Sequence, residues 1–210
     1  LQSREAEARA ARATAEGDLA ALNSEAAGLE RLLARATSDT GEALIERLSV
    51  APGYEAALGA ALADDLRAPE ISAEDPTGWA PMADYTDAEA LPAGLPPLSA
   101  HVTAPEVLAR RLGRIGIVDR AKGAALQAAL RPGQRLVSRE GDLWRWDGYR
   151  AAAGDAPSSA ALRLQQVNRL AALREELTLA AAKAAEAAAL HSRLQSELAT
   201  LTPADQLARE

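Results

Sequence analysis

The 210-residue chain contains no cysteine and no phenylalanine, a single methionine and only two histidines. Without cysteine there can be no disulfide framework, no cysteine-ligated zinc site and no thiol nucleophile. Long apolar runs are missing as well. No stretch approaches the roughly 20 residues of a membrane span, and the first residues lack the apolar region of a signal peptide, so a soluble, cytoplasmic chain is expected. Lysine is almost absent, with 2 of the 23 basic residues. That bias reads as GC-rich coding, and it removes any special meaning from the choice of Arg over Lys at a given position. Catalytic patterns are missing too: the chain has no GxxxxGK[ST] phosphate loop, no GxSxG elbow and no HExxH helix. Gly113 and Gly116 are lone turn residues, not a dinucleotide fingerprint. Nothing pairs a nucleophile with a base, so no enzyme activity and no cofactor are expected of this stretch.

What is present is a pair of heptad-patterned arms. Leu170, Leu173, Leu177, Ala180, Ala184, Ala187, His191, Leu194, Leu198 and Leu201 follow one another at spacings of three and four without a break. The other arm repeats the pattern at Leu19, Leu22, Ala26, Leu29, Leu33 and Ala36, with softer positions upstream at Ala15, Arg12, Ala8 and Glu5. An apolar seam every 3.5 residues is what two helices need to keep facing each other as they supercoil. Packing is expected to tighten from Leu19 onward. Neither arm has a convincing outer end, which reads as a piece of a longer chain. If the middle brings its ends together, the arms pair antiparallel within one chain. The domain reading is an arm over 1–40, a globular middle over 41–157 and a second arm over 158–210.

In the middle, Ser38-Asp39-Thr40-Gly41 breaks the first arm. Leu44, Ile45 and Leu48 make a short apolar element, and Tyr54 to Leu66 has helical spacing. Six prolines between Pro69 and Pro97 prevent long regular structure over 67–100, leaving a short strand near Glu70–Ser72. A βαβ pattern follows. Thr103 caps a helix with Pro105 in its first turn, and Gly113 closes it. Ile115–Val118 is a buried strand, and Gly123–Leu130 a second helix. Leu136-Val137, Leu143–Trp146 and Tyr149 then form a meander around Gly141-Asp142 and Asp147-Gly148 turns. Ala156–Ser159 leads into the second arm. The fold class is thus α/β (α+β), at the tip of an antiparallel coiled coil.

The net charge of −7 is uneven: residues 51–100 hold nine acids and one Arg, whereas 101–150 hold ten basic residues and five acids. The bland reading is two differently solvated faces. The sharper one is a basic surface that meets nucleic acid or an acidic partner, through Arg110, Arg111, Arg114 and Arg120. Trp144 and Trp146 alternate with Arg145, so both indoles are expected on one side of a strand, covering core or partner. His191 reads as a register-setting polar residue in the seam, and His101 as an isolated histidine at a strand or loop edge. Turn chemistry accounts for Asp142 and Asp147 beside Glu140, so no metal site is expected.

Three stretches resemble the hinge region of the bacterial, condensin-type structural maintenance of chromosomes (SMC) family. They are Val50-Ala51-Pro52-Gly53-Tyr54-Glu55-Ala56-Ala57-Leu58 with Ala61-Leu62, Ile115-Gly116-Ile117-Val118-Asp119 with Ala124 and Leu126, and Leu136-Val137-Ser138-Arg139-Glu140-Gly141-Asp142-Leu143. Their order, with heptads on both sides, makes the likeness extend over nearly the whole chain. The related repair ATPases with a zinc hook at the coil tip are excluded, because the chain has no CxxC. The resemblance implies a hinge that homodimerises and joins two arms, with ATPase heads and kleisin-type partners at distant ends. It implies a cytoplasmic, nucleoid-associated complex that organises chromosomal DNA, and DNA contact by the hinge in some members. Where the family pairs glycines, this chain has Gly148 and Gly154, separated by Tyr149 and alanines. Trp144, Trp146, Gly148, Tyr149 and Gly154 are the expected dimer-interface residues. The alternative reading is a monomeric coiled-coil adaptor whose middle domain binds a protein partner.

Overall fold

The computed structural model describes residues 1–35, 43–83, 85–86, 89–154 and 159–209. They divide into two compact units, one of Leu1–Leu32 with Arg169–Glu210 and one of Leu33–Asn168.

The first unit is a helix pair. Helix α1 covers Gln2–Arg35 and α5 covers Ser159–Arg209. The pair runs antiparallel: Glu5 meets His191 at 2.9 Å, and Glu25 meets Arg169 at 2.8 Å. The heptad positions face inward. Ala8, Ala15 and Ala26 of α1 are buried, as are Leu170, Leu173, Ala184, His191 and Leu194 of α5. Leu19, Leu22 and Leu29 are half-buried, and Leu201 is exposed. Packing therefore does not wait for Leu19. His191 Nε2 takes the Glu5 carboxylate as its partner. A buried polar pair at one seam position penalises shifted registers, in which its members would be buried alone. Among the described residues, no helix is long and apolar enough to cross a membrane.

The second unit is built on two small sheets. Strands β1 (Ser49–Val50) and β2 (Val102–Thr103) pair antiparallel. The larger sheet has the order β3 (Ile115–Ile117), β4 (Arg135–Val137), β5 (Leu143–Arg145), β6 (Arg150–Ala151). β3 and β4 are parallel, joined over helix α4 (Arg120–Leu126), and the rest is an antiparallel meander. The expected βαβ unit and meander both form.

Three helices differ in extent from the pattern. Helix α4 starts at Arg120 rather than Gly123 and gives way to a 3-10 turn over Gln127–Ala129. Helix α2 covers only Glu55–Leu62, because Ala63 turns to φ 47° and the chain tightens into a 3-10 turn over Ala63–Arg67. Thr103 ends β2 instead of capping a helix; a 3-10 turn at Glu106–Leu108 precedes the short helix α3, Ala109–Leu112. Glu70 makes an isolated bridge to Trp79 and no strand. The breaks expected at 38–41 and at Ala156–Ser158, and the seam position Ala36, lie outside the described residues.

The main core gathers Leu44, Leu58, Leu62, Leu66, Leu98, Leu108, Ile115 and Val137, and it also takes Ala160 and Leu164 from the first turns of α5. Asn168 Nδ2 donates to the Val50 carbonyl at 3.0 Å and to Glu55 Oε1 at 2.6 Å. The buried Glu55 carboxylate also accepts the Gly53 N–H. Arg163 donates to the Leu33 carbonyl at 3.1 Å and to Glu46 at 2.6 Å. The two ends of this unit are therefore fastened side by side.

A second cluster, Val118, Leu130, Leu136 and Trp144, lies under α4. Gly123 is in that helix because a Cβ there would stand 2.5 Å from the Trp144 ring. Gly123→Ala is expected to lower unfolding free energy by about 1–3 kcal/mol, the usual effect of overpacking. Urea denaturation of both proteins checks this; equal midpoints and slopes would show that the ring moves aside freely.

Candidate functional site

Three of the four arginines singled out in the sequence meet at one cleft. Arg110 and Arg111 lie in α3 and Arg114 just beyond it, with Leu112 buried between them as the anchor. The cleft holds about 380 Å³ and is lined by these guanidinium groups, Tyr85, Met82, Trp79 and Pro132 among others. Arg110 sits 3.9 Å from the Tyr85 ring centroid and Arg114 5.1 Å from it, both within cation–π range. Arg114 Nη2 donates to the Pro132 carbonyl at 3.0 Å, and Trp79 Nε1 to the Asp65 carbonyl at 2.8 Å. Arg111 comes within 4.0 Å of the Asp65 carboxylate. The Nε groups of Arg111 and Arg114 are buried with no hydrogen-bond acceptor among the described residues.

Two further arginines, which belong to the basic set of residues 101–150 but are not among the four assigned to DNA contact, surround Arg111 with positive charge. Arg135 and Arg145 stand directly opposite each other on β4 and β5. Arg135 donates to the Ala61 carbonyl, and Arg145 pairs with Asp147. Burial, with Arg111 and Arg145 close by, pulls the Arg135 guanidinium down to about 10. Burial also lowers Arg111, against the pull of Asp65 and together with Arg145. Tyr85 was missed, since it stands in the acidic, proline-rich segment, where no periodicity marks it.

Arg120 goes elsewhere. It opens α4 and makes a two-pronged pair with Asp142, at 2.8 and 2.9 Å. Asp142 is buried and also accepts from Ser138 Oγ at 2.6 Å and from the Ala153 N–H at 2.9 Å. Burial pushes its carboxyl up, but the bonds from Ala153, Ser138 and Arg120 outweigh that and hold it below its ordinary value. The same set tethers the Ser138–Asp142 turn to the segment after β6. Among the described residues, no three His, Cys, Asp or Glu side chains are placed to hold a metal ion.

The five residues expected at an interface do not share one environment. Trp144 is buried on β5 against α4, whereas Trp146 is 47% exposed. The same-face expectation fails because β5 ends at Arg145, and Trp146 lies in the reversing loop. Gly148, at φ 91°, makes that loop possible, and its N–H bonds back to the Arg145 carbonyl. Tyr149, 53% exposed, follows it with the Arg145 guanidinium 5.3 Å from its ring centroid. Gly154 sits at φ 103°, and a Cβ added there would meet nothing within 4 Å. So Trp146, Gly148 and Tyr149 form one exposed hairpin tip at the β6 edge of the sheet, whereas Trp144 packs under α4. Gln127 is buried behind the tip and donates to the carbonyls of Arg145 at 2.8 Å and Tyr149 at 3.1 Å. The signal for it in the sequence is its place as the single polar residue of the apolar run Ala124–Leu130.

No family model matches the chain. Over 180 residues it is 60% identical to the chromosome partition protein Smc of Cereibacter sphaeroides, an alignment covering 86% of this chain and 16% of that protein. It is 43% identical over 163 residues to the chromosome partition protein Smc of Rhodopseudomonas palustris, covering 78% of this chain and 14% of that one. The chain thus spans about a sixth or less of the length of these relatives. Among solved structures it is similar to an asymmetric dimer of the Geobacillus stearothermophilus SMC hinge domain. That match has a TM-score of 0.72 and 16% identity, over 94% of this chain and 98% of that one, and it shows the fold.

The lowered carboxyl of Asp142 generates a pH prediction. Its folded value lies below its unfolded one, so its contribution is present above about pH 4 and is lost as pH falls through the folded value. Asp142→Asn is expected to destabilise the fold at neutral pH and to flatten the fall in stability below about pH 4. Urea midpoints from neutral to acid pH check it; parallel curves for the two proteins would remove Asp142 from the account.

Proposed function

From the premise that the chain belongs to the Smc family of chromosome partition proteins, as a hinge region with flanking coiled coil, we propose that two copies dimerise through the globular unit and so join two pairs of arms. The domain division that goes with this reading is an arm at 1–40, a hinge at 41–157 and an arm at 158–210. The observation that carries dimerisation is the hairpin tip. Trp146 and Tyr149 are large and exposed, in the loop that leads into the two-residue edge strand β6, which has no further strand beside it among the described residues. An open edge with aromatic anchors suits strand-to-strand or apolar contact with an identical surface. The dimer recorded for the Geobacillus hinge domain is consistent with this reading.

In the longer parent protein the arms would lead to ATPase heads with kleisin-type subunits bound there, in a cytoplasmic, nucleoid-associated complex. DNA contact belongs to the same proposal. Arg110, Arg111 and Arg114 share one cleft and supply its basic patch, whereas Arg120 is engaged by Asp142.

Sedimentation equilibrium over a range of concentrations tests dimerisation. The chain is expected to run as a dimer, and Trp146→Asp with Tyr149→Asp to shift it to monomer without loss of helix signal. A monomer at every concentration would favour the adaptor reading. For DNA, binding to a duplex oligonucleotide is expected to weaken steeply with salt. Each of Arg110→Gln and Arg114→Gln should reduce the slope of log K against log salt by about one. A flat salt response would end the DNA reading and leave dimerisation standing.

A further inference from the structure

The arginine cleft carries more positive charge than its described neighbours balance. Arg145 occupies Asp147, and Asp65 reaches Arg111 only at 4.0 Å. Arg135 and Arg145 face each other across two strands, an arrangement that is destabilising for like charges. The Nε groups of Arg111 and Arg114 are buried without an acceptor among the described residues. A volume of about 380 Å³ falls within the range of small-ligand sites. Guanidinium forks match the oxygens of phosphate, and several converging forks suit a dianion better than a single carboxylate. The lining also includes apolar Val107, Pro132 and a Met82 that is 66% exposed.

We propose that the cleft beside Tyr85 is a binding site for a small phosphate monoester, with Arg110, Arg111 and Arg114 holding the phosphate and Met82, Val107 and Pro132 receiving the esterified group. Arg135 and Arg145 do not line the cleft; they strengthen its positive potential from the sheet. The site does not depend on the DNA reading, because a monoester dianion and a diester backbone differ in charge and in access.

The test uses the arginine Nε–Hε signals in NMR spectra of the full chain, titrated at constant ionic strength with inorganic phosphate, phenyl phosphate and dimethyl phosphate. The expected result is saturable movement of the Arg111 and Arg114 signals, with phenyl phosphate the tightest of the three and dimethyl phosphate the weakest. Arg110→Gln and Arg114→Gln are each expected to weaken phenyl phosphate binding by about tenfold, the effect of losing one charge-assisted hydrogen bond, while Arg120→Gln leaves it unchanged. Non-saturating shifts spread over all arginines, or unchanged affinity in Arg110→Gln and Arg114→Gln, would overturn the proposal. So would a duplex oligonucleotide that moves these signals when neither phosphate nor its ester saturates them, since the phosphates would then be those of a DNA backbone. Arg110 stacks on Tyr85 at the surface of α3, away from the Asp65 carboxylate that Arg111 approaches, so Arg110→Gln decides the matter even if Arg111→Gln fails to fold.

Discussion

Asn168 bonds to the Val50 carbonyl and the Glu55 carboxylate, Arg163 bonds to the Leu33 carbonyl and Glu46, and Ala160 and Leu164 fill the core that Leu44 begins. These contacts bring the chain out of the globular unit beside the point where it went in. The burial of Leu164 is worth about 1.5–3 kcal/mol. The polar bonds add less, but they fix direction, since Glu55 and Asn168 bond to each other, to the Val50 carbonyl of β1 and to the Gly53 N–H just before α2. A domain closed in this way can be inserted into an antiparallel helix pair without disturbing its heptads. The helical unit then needs only its own seam, whose alanines allow close approach and whose Glu5–His191 pair marks the register.

The sheet of the globular unit carries a different kind of constraint. Its order puts two arginines opposite each other on β4 and β5, beside the arginines of α3. The fold meets part of that cost with Asp65, Asp147 and the Ala61 carbonyl. The remainder gives the cleft its character. The hairpin at the same end of β5 is served by a neutral group: Gln127 donates to the Arg145 and Tyr149 carbonyls behind the exposed aromatic tip.

The elements legible in advance were those with a strong period or strong punctuation. The heptads predict the inward residues of both arms, and the Asp142 and Asp147-Gly148 turns predict the meander. What misled was local. Tyr54–Leu66 reads as one helix, but the chain turns at Ala63, where apolar spacing continues through a 3-10 turn and cannot reveal the break. Trp144 and Trp146 alternate as strand residues do, yet the strand stops between them. Arg110, Arg111 and Arg114 were legible as a cluster because they are close in the chain. Arg120 looked equivalent until Asp142, 22 residues on, was seen to hold it.

The amino-acid order alone determined the heptad seam, the absence of thiol chemistry and the succession of strands and turns, because each depends on neighbours within a few residues. The family likeness was also visible there, since it is carried by short motifs in a set order. Which arginines share a cleft, which tryptophan is buried, and that Tyr85 faces the basic helix were decided only by tertiary structure. Those outcomes depend on pairings between segments tens of residues apart, where charge, burial and strand register are set by partners that no local pattern names.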